Sequence, residues 1–150
     1  MPQASRTIRR LAFWSIPLAF GVMGLKFVAW YLTGSIALYS DALESIVNVI
    51  AATAAFIAIG YAQKPADISH PYGHHKAEYF SAVLEGVLIV VAALLIVNEA
   101  VGGLMEPRRI EAPVLGLAVN AGAALVNGVW AATLIRVGRR HRSPALQADG

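Results

Sequence analysis

Four long apolar runs, each set off by polar punctuation, constrain this chain more than anything else in it. They extend over Leu11 to Thr33, Ile36 to Ala62, Ala77 to Met105 and Ala112 to Val137. A helix of about 20 apolar residues crosses the roughly 30 Å hydrocarbon core of a bilayer, so each run is long enough to span. The breaks between them are chemically plain: Gly34-Ser35, then a loop over 63–76 that holds Pro65 and Pro71, then Glu106-Pro107-Arg108-Arg109, whose proline cannot continue a helix. The sequence thus predicts an all-α integral membrane protein of four transmembrane helices, with little of its 150 residues left for anything else. Composition agrees, since 14% charged residues falls well short of the soluble norm, which is about a quarter.

The first run needs one check, because Arg6, Arg9 and Arg10 ahead of an apolar stretch also describe a signal peptide. No small-residue cleavage site follows, and the apolar run continues past Lys26 to Thr33. An isolated Arg9-Arg10 pair is poor evidence for a twin-arginine signal. The segment is read as a helix.

Loop charges orient the bundle. Arg6, Arg9 and Arg10 precede the first helix, Lys64 and Lys76 flank the 63–76 loop, and Arg136, Arg139, Arg140 and Arg142 gather at the end of the fourth. That is nine of the 12 basic residues on one side; Arg108 and Arg109 lie on the other, and Lys26 lies within a span. The positive-inside rule makes both termini and the 63–76 loop cytoplasmic. The net charge of +3 is then a topology signal and not a nucleic-acid footprint. Short loops and no cleavable signal suit a bacterial inner membrane. Small residues four apart, Ala51/Ala55 and Ala54/Ala58 in the second helix and Ala118/Gly122 and Ala124/Gly128 in the fourth, are given packing meaning only.

Ionisable groups inside spans are costly and by default face a bundle interior or a water-filled cavity. At 100° per residue, Asp41, Glu44, Ser45 and Asn48 fall within an arc of about 100° on the second helix. Oxygen donors of this kind bind hard or borderline divalent cations. For Asp41, near the outer end, an interfacial carboxylate explains the position as well; Glu44 and Asn48 lie deeper and point to function. Glu78, Ser81, Glu85 and Glu99 share a face of the third helix. Solvent or Lys76 can neutralise Glu78 and Glu99 near the ends, whereas Glu85 can line a cation or proton path. Lys26 can pair with one of these acids, and Asn120 and Asn127 suit interhelical hydrogen bonds.

The chain has no cysteine, which removes disulfides and thiolate chemistry. All four histidines, His70, His74, His75 and His141, lie outside the spans. Intramembrane haem ligation, a helical HExxH zinc protease and a GxSxG hydrolase therefore have no residues to build on, and no enzyme is expected. The loop is different: Asp67, His70, His74 and His75 supply a carboxylate and imidazoles at a spacing able to hold zinc. A polar turn against lipid headgroups fits the spacing equally well.

The run Thr33-Gly-Ser-Ile-Ala-Leu-Tyr-Ser-Asp-Ala-Leu-Glu-Ser-Ile-Val-Asn48, followed by His70-Pro-Tyr-Gly-His-His-Lys-Ala-Glu-Tyr-Phe-Ser81, resembles the amino-terminal half of cation diffusion facilitator (cation efflux) transporters. The resemblance implies a homodimer of six-helix subunits exporting divalent metal such as zinc, iron or manganese from the cytoplasm in exchange for protons. Position by position, Glu44 and Asn48 match half of the family's transport site. Asp67, His70 and His74 match a second, loop metal site of some members, and Lys76 a basic residue of a charge interlock at the dimer interface. Two departures stand out. The neutral Asn48 replaces a usual carboxylate, which shifts preference from zinc toward manganese or iron(II) and leaves Asp41 as a source of the missing charge. Ser143-Pro-Ala-Leu-Gln-Ala-Asp-Gly150 resembles the lead-in to helix 5, so helices 5 and 6 and the cytoplasmic domain are expected to be missing here. The chain is then a partial transporter or, alternatively, a four-helix membrane protein that binds metal or a partner through its His-rich loop.

Overall fold

The computed structural model describes residues 2–105 and 113–150, all of whose regular structure is helical. Helix α1 is Pro2–Thr33, α2 Ile36–Ala62, α3 Lys76–Met105, α4 Pro113–His141 and α5 Pro144–Ala148. The first four are each long and apolar enough to cross a membrane.

Three boundaries differ from the sequence expectation. Helix α1 starts before Leu11 and takes Arg6, Arg9 and Arg10 into its first turns. Helix α4 passes Val137 and ends at His141, placing Arg139, Arg140 and His141 in its last turn, where cations complement the negative end of the helix dipole. The short α5 had no apolar run to announce it. The expected break at Glu106-Pro107-Arg108-Arg109 lies outside the described residues.

Each reversal has a local cause. Gly34 sits at φ +62, a left-handed conformation that suits glycine, and its N–H reaches the Trp30 carbonyl at 2.8 Å to close α1. The Thr33 hydroxyl donates to the Ala29 carbonyl at 2.8 Å and accepts the Ser35 N–H at 3.3 Å. At the other end the chain leaves α4 through Arg142 at φ 53, and the Ser143 N–H bonds the Gly138 carbonyl at 3.0 Å. Ser143 then caps α5 by accepting the Leu146 N–H, with Pro144 in the first turn.

Helix α2 packs on α1 and α3, α1 packs also on α4, and α5 touches α4, α3 and α2. The long helices therefore form a curved row, α3–α2–α1–α4, whose ends are joined through α5. Ile8 and Ala12, Ala55 and Ile59, Leu134, Ala145 and Leu146 make one buried cluster, bringing the start of α1 and the ends of α2 and α4 to the same end of the bundle as α5. Ala12, Ala42, Ala52 and Ala55 are at most 1% exposed, so α1 and α2 approach through small side chains, as packing in lipid favours. In α4 the expected Ala118/Gly122 and Ala124/Gly128 contacts do not form within the chain. Ala118 and Ala124 are exposed, and a Cβ built on Gly122 or Gly128 meets nothing within 4 Å. The close approaches in α4 fall instead at Gly116, where a Cβ would lie 2.5 Å from Thr33 Cγ2, and at Gly138, where it would lie 2.8 Å from Gln147 Cγ.

Candidate metal centres

The polar stripe on α2 divides between two tasks. Lys26 of α1 is 2.7 Å from Asp41 Oδ1 and is buried, so the basic residue inside the spans pairs with the outermost acid of the stripe. Ser45 donates back to the Asp41 carbonyl at 3.0 Å and contributes no side-chain donor elsewhere. Glu44 and Asn48, one turn apart, instead open into a cavity of about 450 Å³. Asp41 does not line it.

Every long helix contributes to that cavity. Ser15 comes from α1, Glu44 and Asn48 from α2, Glu85 from α3 and Asn127 from α4, while Asp149 follows α5. The remaining walls are apolar, among them Leu18, Val47, Ile89 and Trp130. Trp130 donates its indole N–H to Ser15 Oγ at 2.9 Å, which fixes the α1–α4 seam beside the cavity. Glu85 is 8% exposed, and its Oε2 has no hydrogen-bond partner; Asp149 Oδ2 is likewise buried and unpartnered. No lysine or arginine among the described residues lines the cavity. Its oxygen donors are those that suit a hard or borderline divalent cation. A larger groove of about 710 Å³, lined by Trp14, Pro17 and Trp130 between α1 and α4, carries Arg10 as its sole charged lining residue and offers no cation donor set.

Asp149 escaped the sequence reading because it lies beyond the fourth apolar run, in a stretch with no periodicity of its own. The signal available was the Ser143-Pro144 cap, which starts a short helix whose far end turns Asp149 back into the bundle. Glu85, expected from its depth in the span to line a cation or proton path, lies in the same cavity as Glu44 and Asn48.

The 63–75 loop builds a second, smaller centre. Gly73 at φ +80 turns the chain, and its N–H bonds the His70 carbonyl at 2.9 Å. Asp67 accepts the His70 N–H at 2.6 Å and the Ser69 hydroxyl at 2.9 Å. These bonds, Ser69 first and the His70 N–H second, hold the Asp67 carboxyl below its ordinary value, so it is an anion ready to serve as ligand. His70 Nδ1 is 3.3 Å from Asp67 Oδ1, and His74 Nε2 is 3.5 Å from Oδ2. One ligand atom from each of Asp67, His70 and His74 lies within 4.8 Å of the others. His74 is 5% exposed, set edge-on against Tyr61 at 4.7 Å, and its Nδ1 has no partner. A carboxylate and two imidazoles supply three of the four ligands of a tetrahedral zinc site, with the fourth position left to water or another donor. His75 stands outside this group.

A pairing expected near the start of α3 is different in the structure. Glu78 is held by the Ser143 hydroxyl, tying α3 to the cap of α5, and not by Lys76. Lys76, the first residue of α3, is exposed and takes part in none of the ion pairs among the described residues.

The described residues thus form a bundle of membrane-length helices around an oxygen-lined cavity, with a histidine and aspartate cluster on one loop. Residues 12–150 match the cation efflux transmembrane domain, and the chain belongs to that family of multi-pass membrane transporters. It is 49% identical over 145 residues to a protein named as an uncharacterized transporter of Synechocystis sp., covering 97% of this chain and 47% of that one. It is also 33% identical to the cation-efflux pump FieF of Serratia proteamaculans and 32% identical to that of Cronobacter sakazakii, covering 99% and 96% of this chain and 49% and 48% of theirs. The chain spans about half the length of these relatives.

Proposed function

We propose that this chain is the amino-terminal membrane portion of a proton-coupled exporter of divalent metal, working as a homodimer in a bacterial inner membrane. The observation that carries the reading is the cavity itself: Glu44 and Asn48, one turn apart on α2, open into an enclosure that every long helix helps to build. In this reading they supply half of the transport site, and ligands from the next membrane helix supply the rest. Metal and protons compete for the same carboxylate, because a ligand must be deprotonated to bind. Loading metal then displaces a proton, and reprotonation on the far side helps release it. With an amide in place of a second carboxylate, the site suits manganese or iron(II) better than zinc.

The same reading puts both termini and the loop on the cytoplasmic side, where Asp67, His70 and His74 hold a metal at the entrance and the unpaired Lys76 is free to meet a partner subunit's acid. The chain has no cysteine, so a single Ala66→Cys variant labelled from either side of sealed vesicles reads the orientation directly. Labelling from the periplasmic side reverses the topology.

The transport test is reconstitution of the full-length protein in vesicles, with manganese, iron(II) and zinc uptake followed against an opposing proton gradient. Glu44→Ala is expected to abolish uptake, and undiminished uptake removes Glu44 from the mechanism. The loop cluster supports a second reading, a non-transporting membrane protein that binds metal there. In that case Glu44→Ala is silent, while His70→Ala with His74→Ala removes all function.

A further inference from the structure

The cavity holds more acid than the Glu44 and Asn48 pair accounts for. Glu85 enters from α3 and Asp149 from the segment after α5, near enough for their charges to interact. Each has a buried carboxylate oxygen with no hydrogen-bond partner, and the Glu85 side chain is more than nine-tenths buried. Ser15 accepts from Trp130 and donates its own hydroxyl to Asp149, which leaves Asp149 Oδ2 as the unpartnered oxygen. The basic residue within the spans, Lys26, is spent, since it is 2.7 Å from Asp41. Three carboxylates, Glu44, Glu85 and Asp149, therefore share an enclosure with no lysine or arginine among its described lining residues.

Of the three, Glu44 is exposed, Asp149 half-buried and Glu85 buried; a buried anion without a counter-charge is costly, so Glu85 and the half-buried Asp149 call for a cation or a proton between them. The donors say which cations fit: carboxylate, amide and hydroxyl oxygens with no nitrogen or sulfur are a hard set. The geometry says how. Among the described residues, Asp67, His70 and His74 form the acidic or histidine triad whose ligand atoms all lie within 4.8 Å of one another, whereas Glu44, Glu85 and Asp149 do not form such a group. One bare ion cannot be gripped by all three. A cavity of about 450 Å³ has room for an ion that keeps part of its water shell.

We propose that Glu85 and Asp149 form a cation station of their own, holding a partly hydrated divalent cation beside the Glu44 and Asn48 pair. This rests on the chain being a metal-transport domain, and it adds a stop on the path that α2 alone does not provide. It also reassigns the charge that Asn48 lacks: Glu85 and Asp149 bring it into the cavity, whereas Asp41 is neutralised outside it.

The test uses the full chain in detergent micelles with the loop silenced by His70→Ala and His74→Ala, titrated with Mn²⁺ and followed by water-proton relaxation, which reports both binding and retained water. In that background, Glu85→Gln with Asp149→Asn is expected to weaken Mn²⁺ binding by at least about tenfold and to remove the relaxation enhancement of the hydrated ion. Binding within twofold of the loop-silenced parent in the double variant overturns the station. Should the double variant fail to fold, Asp149→Asn alone is read by thermal unfolding with and without Mn²⁺; a Tm gain from Mn²⁺ equal to the parent's overturns the station as well. Vesicle transport by Glu44→Gln separates the two readings. Lost transport with unchanged Mn²⁺ binding in Glu85→Gln/Asp149→Asn overturns the station alone, and unchanged transport with lost binding leaves the station standing while Glu44 leaves the mechanism.

Discussion

The loop centre and the membrane cavity offer the same chemistry by opposite constructions. In the loop, Asp67, His70 and His74 come from one short stretch, and Ser69 and the His70 N–H hold Asp67 as an anion before any metal arrives. In the cavity, donors come from residues as far apart as Ser15 and Asp149, and two carboxylate oxygens are left with nothing to bond. The loop leaves an imidazole nitrogen, His74 Nδ1, unpartnered but no buried carboxylate oxygen, and a carboxylate already bonded makes a stable resting place. Unsatisfied ones in a low-dielectric enclosure make a place that is favourable only while occupied by a cation or a proton. A store and a passage for metal should differ in this way.

The sharpest break in the comparison is Glu44→Ala in the full-length protein. Uptake is expected to fall by more than the about 10–100-fold that losing an outer-shell partner costs a metal site, with loop binding unchanged by calorimetry. In the loop, Asp67→Ala or His74→Ala is expected to weaken metal binding about 10–100-fold while transport of saturating metal continues. If Asp67→Ala stops transport as completely as Glu44→Ala, the loop is no mere store.

The Lys26–Asp41 pair tests whether the α2 stripe truly divides. Lys26→Met strands a carboxylate whose side chain is 25% exposed, so the loss in thermal unfolding should sit at or below the low end of the about 3–5 kcal/mol typical of a broken buried pair. Lys26→Met with Asp41→Leu should recover most of it and leave metal binding intact. Impaired binding in the double variant puts Asp41 back among the ligands. Gly138→Ala is a smaller perturbation: the added Cβ would stand 3.0 Å from the Gln147 backbone nitrogen and push α5 outward. A cost of about 1–3 kcal/mol is expected, together with weaker Mn²⁺ binding through displacement of Asp149. The smallest effect concerns pH. Because the Asp67 carboxyl is held low, its share of loop stability is complete above the ordinary carboxylate range and is lost only as pH falls through that lowered value. Thermal unfolding followed through the acid range should therefore show the Asp67 contribution disappearing only below the ordinary carboxylate range, and Asp67→Asn should remove that acid-side loss.

The spans were legible because apolar runs of membrane length have few other uses, and the loop cluster because its ligands are neighbours in the chain. Glu44 and Asn48 were legible as a polar face on an apolar helix. What periodicity could not give was partnership. Nothing in the sequence says that Lys26 chooses Asp41, that Glu78 is held by Ser143, or that Asp149 folds back to Glu85, since each depends on which helix ends meet. The same holds for the small-residue spacing in α4: Ala and Gly four apart permit close packing without naming a neighbour, and within this chain the tight approaches fall at Gly116 and Gly138.

The central claim is that the cavity carries metal through the carboxylate on α2. Its most direct test is divalent-metal uptake into vesicles holding the full-length protein, driven by an opposing proton gradient, for the parent and for Glu44→Gln at matched incorporation. Uptake that acidifies the opposite compartment in the parent and is lost in the variant is the expected result. Uptake by Glu44→Gln at the parent's rate would contradict the account.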